Sequence, residues 1–434
     1  MLKILRISLL LGIVITSLTA IGVEAASPRI DVLHAEGVIN PVLADYLEKG
    51  IEQAEDNDAT ACIIQMDTPG GLDSSMRDIV KNIVNARIPV VVYVSPSGAR
   101  AASAGVFITM AAHVAVMAPN TAIGAAHPVS IGSEGEEAMS ETMEEKVLND
   151  SVAYIRSIAE AHNRNIDWAE RAVKESISAT EQEALELNVI DMVAPDLETL
   201  ITQLNGREVV MLGGNVVTLD TSNVTVSHME MNGIEDFLYA ISDPNIAYLL
   251  LSLATLGITA EIFNPGLIFP GVIGGISGLL AFYSLGILPV NYAGILLVVL
   301  AFALFIAEVF TATFGLFTAG GITAMVIGSL ILFKGGPLFQ VSPWLITIVV
   351  IVIAGFFILV LNRVIRAHRR QASTGKEELI GKTALVKVPL DPEGTVLFRG
   401  ELWAAISETG RIEPGETVLI DRVDGLKTYV SKME

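Results

Sequence analysis

The chain has 434 residues, 52% of them hydrophobic, and a formal net charge of −21 at pH 7. That length exceeds one ordinary domain, the apolar excess calls for a part in lipid, and the acidic balance argues against nucleic acid as a partner. A single cysteine, Cys62, leaves no intrachain disulfide and no cysteine-based structural zinc site, and no metal or cofactor is expected.

The first 25 residues read as a signal peptide. Lys3 and Arg6 precede the apolar stretch "ISLLLGIVITSLTAIGV", and "VEA" puts small residues before Ala26. The alternative is an uncleaved anchor. Either one places the following segment outside the cytoplasm.

Residues 29–205 read as a globular α/β domain. "RIDVLHAEGVI" opens as a strand, "PVLADYLEKGIEQAED" has helical apolar spacing, and "ATACIIQMDTPGG" is an apolar strand ending in a glycine turn. "SSMRDIVKNIVNA" is amphipathic and "IPVVVYVSPSG" is again a buried strand. The alternation predicts βαβ units with mostly parallel strands, whose chemistry gathers at the carboxyl ends. Cys62, inside "ACIIQM", reads as a buried small hydrophobe. Asp67 and Asp73 flank the "PGG" turn and take structural roles.

Residues 206–243 read as a linker with short strands and an amphipathic helix. From 244 to 362 the character is that of a membrane domain of about five helices, near 245–262, 266–288, 292–310, 314–333 and 343–362. "PGVIGGISG" spaces Gly271 with Gly275 and Gly274 with Gly278, which suits close helix contact in lipid. Glu261 and Glu308 lie inside or at the edges of these segments, as functional carboxylates or as helix caps. Arg363, Arg366, Arg369 and Arg370 follow the last segment and mark its cytoplasmic end. An odd number of spans then leaves residues 29–205 outside the cytoplasm and the tail inside. In the tail, 378–434, short alternating strands separated by Pro-Glu-Gly, Glu-Pro-Gly and Asp-Gly turns predict a small barrel of OB type. Trp403 is a candidate for its core or for an interface.

Ser103 is the candidate nucleophile. In "GARAASAGVF" it is surrounded by Ala101, Ala102, Ala104 and Gly105. Such clearance serves either close packing or the approach of a substrate. Following a strand and a glycine turn, Ser103 opens a helix, whose N-terminus favours developing negative charge. Acyl transfer at a serine also needs two N–H donors for an oxyanion. Ala104, Gly70 and Gly71 are the candidates.

"DTPGG", "SGARAASAG" and "MAPNTAIGAAHPV", in that order, resemble the ClpP/crotonase-fold serine peptidases, close to signal peptide peptidase A. With the membrane block and the barrel behind them, the whole arrangement resembles the long-form NfeD family of membrane-bound serine proteases associated with stomatin-like partners. The resemblance implies a multidomain chain: an α/β ClpP/crotonase-like domain, a polytopic α-helical membrane domain and a small all-β OB-type barrel. It implies a Ser–Lys dyad in which Lys146, on a helix after the serine, is the base. His127 is the rival base, because its distance from Ser103 resembles the serine-to-histidine gap of the ClpP peptidases, which use a Ser-His-Asp triad.

The expected function is therefore that of a multi-pass membrane serine endopeptidase. It would cleave apolar segments of membrane-associated, stomatin-like proteins, in membrane protein quality control. The expected partners are the lipid bilayer, a stomatin- or flotillin-like protein and further copies of the chain. Two other classes stay open on the residues: a membrane scaffold with a residual peptidase fold, and a crotonase-type acyl-transfer enzyme. An extracytoplasmic position disfavours the last, since coenzyme A thioesters are cytoplasmic.

Overall fold

The computed structural model describes residues 28–128, 141–263, 266, 268–311, 315–334, 336–368 and 379–433. The stretch read as a signal peptide lies outside the described residues, as do Arg369 and Arg370. Two compact units are formed. One runs to Ala303 and includes Gly321–Val350, and the other comprises Leu304–Gly320 and Ile351–Glu434.

The first unit begins with an α/β domain. Its elements are β1 (Arg29–Glu36), α1 (Pro41–Asp56), β2 (Ala61–Asp67), α2 (Asp73–Asn85), β3 (Val90–Val94), β4 (Arg100–Ala102), α3 (Ala104–Ala111), β5 (Val114–Met117) and β6 (Ala122–Gly124). There follow α4 (Glu141–Ala161), α5 (Ile166–Lys174), β7 (Ser178–Thr180), α6 (Glu181–Glu186), β8 (Met192–Val193) and α7 (Leu197–Leu204). The segment after it carries β9 (Glu208–Val210), β10 (Val216–Thr218), β11 (Thr225–Met229) and α8 (Gly233–Ile241). α1 starts where the sequence sets a stop and a start together. The Asn40 side chain accepts the Leu43 N–H, and Pro41 supplies a pre-set φ at the first helical position.

Six strands form a parallel sheet in the order β11-β1-β2-β3-β5-β8. Both faces are covered, which is why β2 and β3 are continuous apolar runs. Leu33, Ile64 and Val92 enter one cluster, and Val32, Ile63 and Val91 enter the other. A smaller sheet, β4-β6-β7, carries the turn that bears Ser103. The segment expected to be a linker does more than link. β11 pairs in parallel with β1, Arg29 opposite Thr225 through Leu33 opposite Met229, and completes the sheet edge.

Among the described residues four helices are long and apolar enough to cross a membrane: α9 (Pro244–Phe263), α10 (Ile268–Ile287), α11 (Tyr292–Phe310) and the first 18 residues of α13 (Pro343–His368). The remaining expected segment, the fourth in chain order, forms α12 (Leu316–Leu330), a shorter apolar helix of 15 residues. The glycine spacing is used where α9 meets α10. A Cβ on Gly274 would lie 2.8 Å from the Ile258 nitrogen, and one on Gly257 would lie 2.6 Å from the Pro270 carbonyl oxygen. Gly275, by contrast, faces open space. The turns α10–α11 and α12–α13 are joined, with Val290 bridging Phe333 and the Asn291 N–H donating to the Leu332 carbonyl at 2.8 Å.

In the second unit Glu308 is a helix cap. Its carboxylate accepts the Gly315 N–H at 2.8 Å and the Thr318 N–H at 3.1 Å, at the start of α12. The tail closes into a five-stranded barrel of β12 (Thr383–Val388), β13 (Glu393–Phe398), β14 (Glu401–Ser407), β15 (Thr417–Asp424) and β16 (Lys427–Lys432), in the order β12-β13-β14-β16-β15. This is the expected OB-type closure, with β14 and β16 the parallel pair. Trp403 packs half-buried against the barrel core.

Candidate active site

The turn after β2 is set by Thr68. Its Oγ1 donates to the Gly37 carbonyl at 2.7 Å and accepts the Gly70 N–H at 3.0 Å. The Ile39 N–H reaches the Gly70 carbonyl at 2.9 Å and the Leu72 N–H reaches the Ile39 carbonyl at 2.8 Å. Both glycines are sterically required. Gly70 lies at φ +114, and a Cβ on it would sit 2.6 Å from Ser103 Cβ and 3.1 Å from its Oγ. A Cβ on Gly71 would sit 2.0 Å from the Ile39 carbonyl oxygen.

Ser103 stands between β4 and α3 at φ 52 and ψ −112. A non-glycine residue held there stores on the order of 1–3 kcal/mol of strain. Its N–H donates to the Gly124 carbonyl at 3.3 Å, and its own carbonyl accepts the Val106 N–H at 3.0 Å. Ala104 begins α3, so its N–H has no intrahelical acceptor. The Gly71 N–H has no partner among the described hydrogen bonds. The Gly70 N–H, a third candidate donor on the sequence, is committed to Thr68; what Gly70 gives Ser103 is room. The small residues divide the work, since a Cβ on Gly105 would meet Thr68 Cγ2 at 2.7 Å, away from the serine.

Ser103, Ala104 and Gly71 line a cleft of about 570 Å³ that also contains Lys146. Lys146 is exposed on α4, and none of the described hydrogen bonds joins it to Ser103. The remaining walls combine apolar groups, Met76, Phe107, Val147 and Phe339, with the charged side chains of Asp73, Arg77 and Asp150. His127 is placed differently. Its neighbours Ala126 and Pro128 line the cleft, but its Nδ1 lies 2.9 Å from the Val173 carbonyl, to which an Nδ1–H would donate.

Sequence reasoning passed over the clamp that seats α4. Arg77, on α2, donates from Nε to Asp73 at 2.8 Å and from Nη2 to Asp150 at 2.6 Å, and its guanidinium stacks 4.5 Å from the Tyr154 ring centre. Asp150 is one helical turn beyond Lys146. Burial pulls the Arg77 pKa down, but the hydrogen bonds and charges of Asp73 and Asp150 more than offset this and hold it above the ordinary arginine value. The signal available in the sequence was the Asp73–Arg77 spacing of four on one helix. Asp150, 73 residues further on, offered none. Among the described residues no group of three or more His, Cys, Asp or Glu side chains could hold a metal ion. Cys62 is buried, and its thiol is pushed well above the ordinary range by burial and by Asp31 and Glu55.

Residues 30–200 match the N-terminal domain of NfeD1b, residues 245–363 the NfeD integral membrane domain, and residues 376–432 the NfeD-like C-terminal, partner-binding domain. The chain is 40% identical over 408 residues to the membrane-bound protease PH1510 of Pyrococcus horikoshii, covering 92% of each. The chain belongs to the NfeD family. This NfeD protein is also 28% identical over 461 residues to the membrane protein NfeD1b of Bacillus subtilis, covering 98% of each. Among solved structures, the 1510-N membrane protease specific for a stomatin homolog from Pyrococcus horikoshii aligns at 34% identity with a TM-score of 0.43, covering 50% of this chain and 99% of that one. A mutant of the 1510-N membrane-bound stomatin-specific protease in complex with a substrate peptide aligns at 35% identity with a TM-score of 0.46, covering 50% of this chain and 98% of that one. The family relationship and the four long apolar helices make this NfeD chain a membrane protein related to a protease.

Proposed function

We propose that this NfeD protein is a serine endopeptidase in which Ser103 and Lys146 form a dyad. The observation that carries the reading is the strained turn. Ser103 is held at positive φ at the start of α3, with Gly70 cleared beneath it, in a cleft shared with Lys146. Ser103 Oγ attacks the scissile carbonyl and Lys146 Nζ takes its proton. The Gly71 and Ala104 N–H groups hold the oxyanion of the tetrahedral intermediate. Lys146 then protonates the leaving amine, and an acyl ester on Ser103 remains. Water, deprotonated by the same amine, hydrolyses that ester. Lys146 takes up that proton as the free amine. His127 is not among the residues that line the cleft, and it is left out of the dyad.

The apolar part of the cleft wall, Met76, Phe107, Val147 and Phe339, supports apolar segments as substrates. The relationship to PH1510 supports a stomatin-like membrane protein as substrate or partner, with the barrel as the docking module and a homo-oligomer as the working assembly. We also assign the α/β domain to the extracytoplasmic side and the barrel to the cytoplasm. The joined α10–α11 and α12–α13 turns support this, since α11 leaves and α12 returns to one end, giving five crossings despite the shortness of α12.

Labelling with a serine-reactive fluorophosphonate tests the reading. The wild type is expected to label and Ser103→Ala to lose the label. Ser103→Ala and Lys146→Ala are each expected to lose peptide cleavage, and the double mutant to be little worse than either. Cleavage retained in Lys146→Ala and lost in His127→Ala overturns the dyad. An unlabelled, inactive wild type returns the protein to the scaffold class.

A further inference from the structure

The connection between α12 and α13 is not a free loop. The Lys334 N–H donates to the Pro289 carbonyl at 2.6 Å, and the Ser342 N–H donates to Asn245 Oδ1 at 2.8 Å. Between these anchors a short turn, Pro337–Phe339, closes with the Phe339 N–H on the Gly336 carbonyl at 3.0 Å. Leu332, Phe333, Phe339 and Val341 are all buried. Among the described residues of this connection, Gly336 and Phe339 stand at the wall of the cleft containing Ser103.

Phe339 has a second face. Behind it lies another cavity, of about 370 Å³, which Phe339 also lines together with Val38, Leu72, Tyr239, Ile287 and Leu288. Leu72 is the residue after Gly71. Phe339 thus lines both hollows, and the Gly71–Leu72 turn borders both.

Several polar atoms of the second cavity are already engaged, and most of its lining is apolar. Asn40 Oδ1 accepts the Leu43 N–H at 2.9 Å, the Ser242 hydroxyl donates to the Leu238 carbonyl at 2.7 Å, and the Tyr239 hydroxyl donates to the Glu36 carbonyl at 2.7 Å. Asp243 Oδ1 accepts the Asn245 N–H at 2.8 Å. An aliphatic or aromatic side chain entering the chamber would gain buried area against this mostly apolar lining. The volume suits one large side chain and excludes a folded partner. The rim is formed by the ends of membrane-spanning helices, at Pro244, Ile246, Ile287 and Leu288. A polypeptide leaving the hydrocarbon layer reaches that level carrying apolar side chains.

We propose that Phe339 and the chamber behind it form a side-chain subsite of the peptidase, supplied in part by the membrane domain, that takes a large aliphatic or aromatic residue beside the scissile bond. The proposal rests on the reading of Ser103 as nucleophile. It means that the specificity of the full chain differs from that of residues 29–205 alone, because Phe339 is missing from the shorter piece.

The test uses the full chain in detergent with internally quenched peptides that carry Leu, Phe, Ala or Ser at one position, scanned across the scissile bond. The quantity read is the ratio of kcat/KM between Leu and Ala peptides, which partial loss of folded protein leaves unaltered. One position is expected to favour Leu and Phe over Ala by about tenfold to a hundredfold in the wild type. Phe339→Ala is expected to shift that ratio about tenfold or more, chiefly in KM. Val38→Trp, which fills the chamber from its other side, is expected to erase the preference while the Ala peptide is still cut. Wild-type ratios in both variants overturn the subsite. So does a preference that follows the acyl-chain length of added lipid instead of the peptide side chain. Fluorophosphonate labelling of the wild type separates this failure from failure of the underlying reading, since labelling depends on Ser103 and not on the chamber.

Discussion

Gly70 and Ser103 are two halves of one steric fact. The serine occupies a backbone conformation that ordinary residues avoid, and the glycine opposite gives up its side chain so that the serine can stay there. Gly70→Ala is expected to lower kcat by about a hundredfold with little change in KM, because a displacement of the proposed nucleophile by about 1 Å is enough to spoil attack. Peptide kinetics beside a thermal melt would check it, and a melt shift with unchanged kcat would refute it. The clearance around Ser103 was visible in the sequence as a run of small residues. The use made of each was not, because Gly105 makes room for Thr68 and Gly70 for Ser103, and both look alike in one dimension.

At the scale of elements, α4 carries Lys146 and is secured at two places. Arg77 holds its middle through Asp150 and Tyr154. Just beyond its end, the buried Arg164 donates to the Met110 carbonyl and pairs with Asp191 at 2.7 Å, and Arg207 meets the same carboxylate at 3.1 Å. Two histidines, His113 and His162, meet edge to face beside this network. Burial first, and the Arg164 charge second, push both down to about 4. An unfolded histidine titrates near 6.5, so between pH 6.5 and 4 the unfolded chain binds more protons than the folded one. The stabilisation these histidines lend is complete above pH 6.5 and is lost as pH falls toward 4, by up to about 1.4 kcal/mol per pH unit for each. Melts of the full chain at pH 7.5, 6 and 5 are expected to show the fall, and His162→Phe to flatten it; an unchanged slope in that variant removes His162 from the account.

The strands and helices of the α/β core were legible because each is a single apolar period bounded by a turn. β11 was not, for its five residues are half polar and its partner β1 lies almost two hundred positions earlier. The same distance hides Phe339, which sits among Gly and Pro with no period to mark it. Glu308 could be read only as one of two things, and the turn it caps decides the matter.

For the molecule as a whole, the two sides of the membrane can be tested through its cysteine count. Cys62 is buried, so the native chain supplies a silent background. Ser222→Cys, exposed on the α/β domain, is expected to react with an impermeant maleimide in sealed right-side-out vesicles. Asp421→Cys, exposed on the barrel, is expected to react only after the vesicles are opened. The reverse pattern, or labelling of both before opening, overturns the five-crossing arrangement.

The ring of strands in the tail has a consequence for how anything attaches to it. Every strand of β12-β13-β14-β16-β15 has a neighbour on each side, so the circle leaves only short stretches of unpaired backbone, such as the end of β15 beyond its pairing with β12. A visiting peptide therefore has little edge to extend. Recognition falls instead to the outward side chains and the turns. There Leu402 and Leu426 stand open to solvent, while Arg422 lies flat over Tyr429 at 3.7 Å. Partners of such a surface are chosen by residue identity, and single substitutions on it can exchange one partner for another without disturbing the ring beneath.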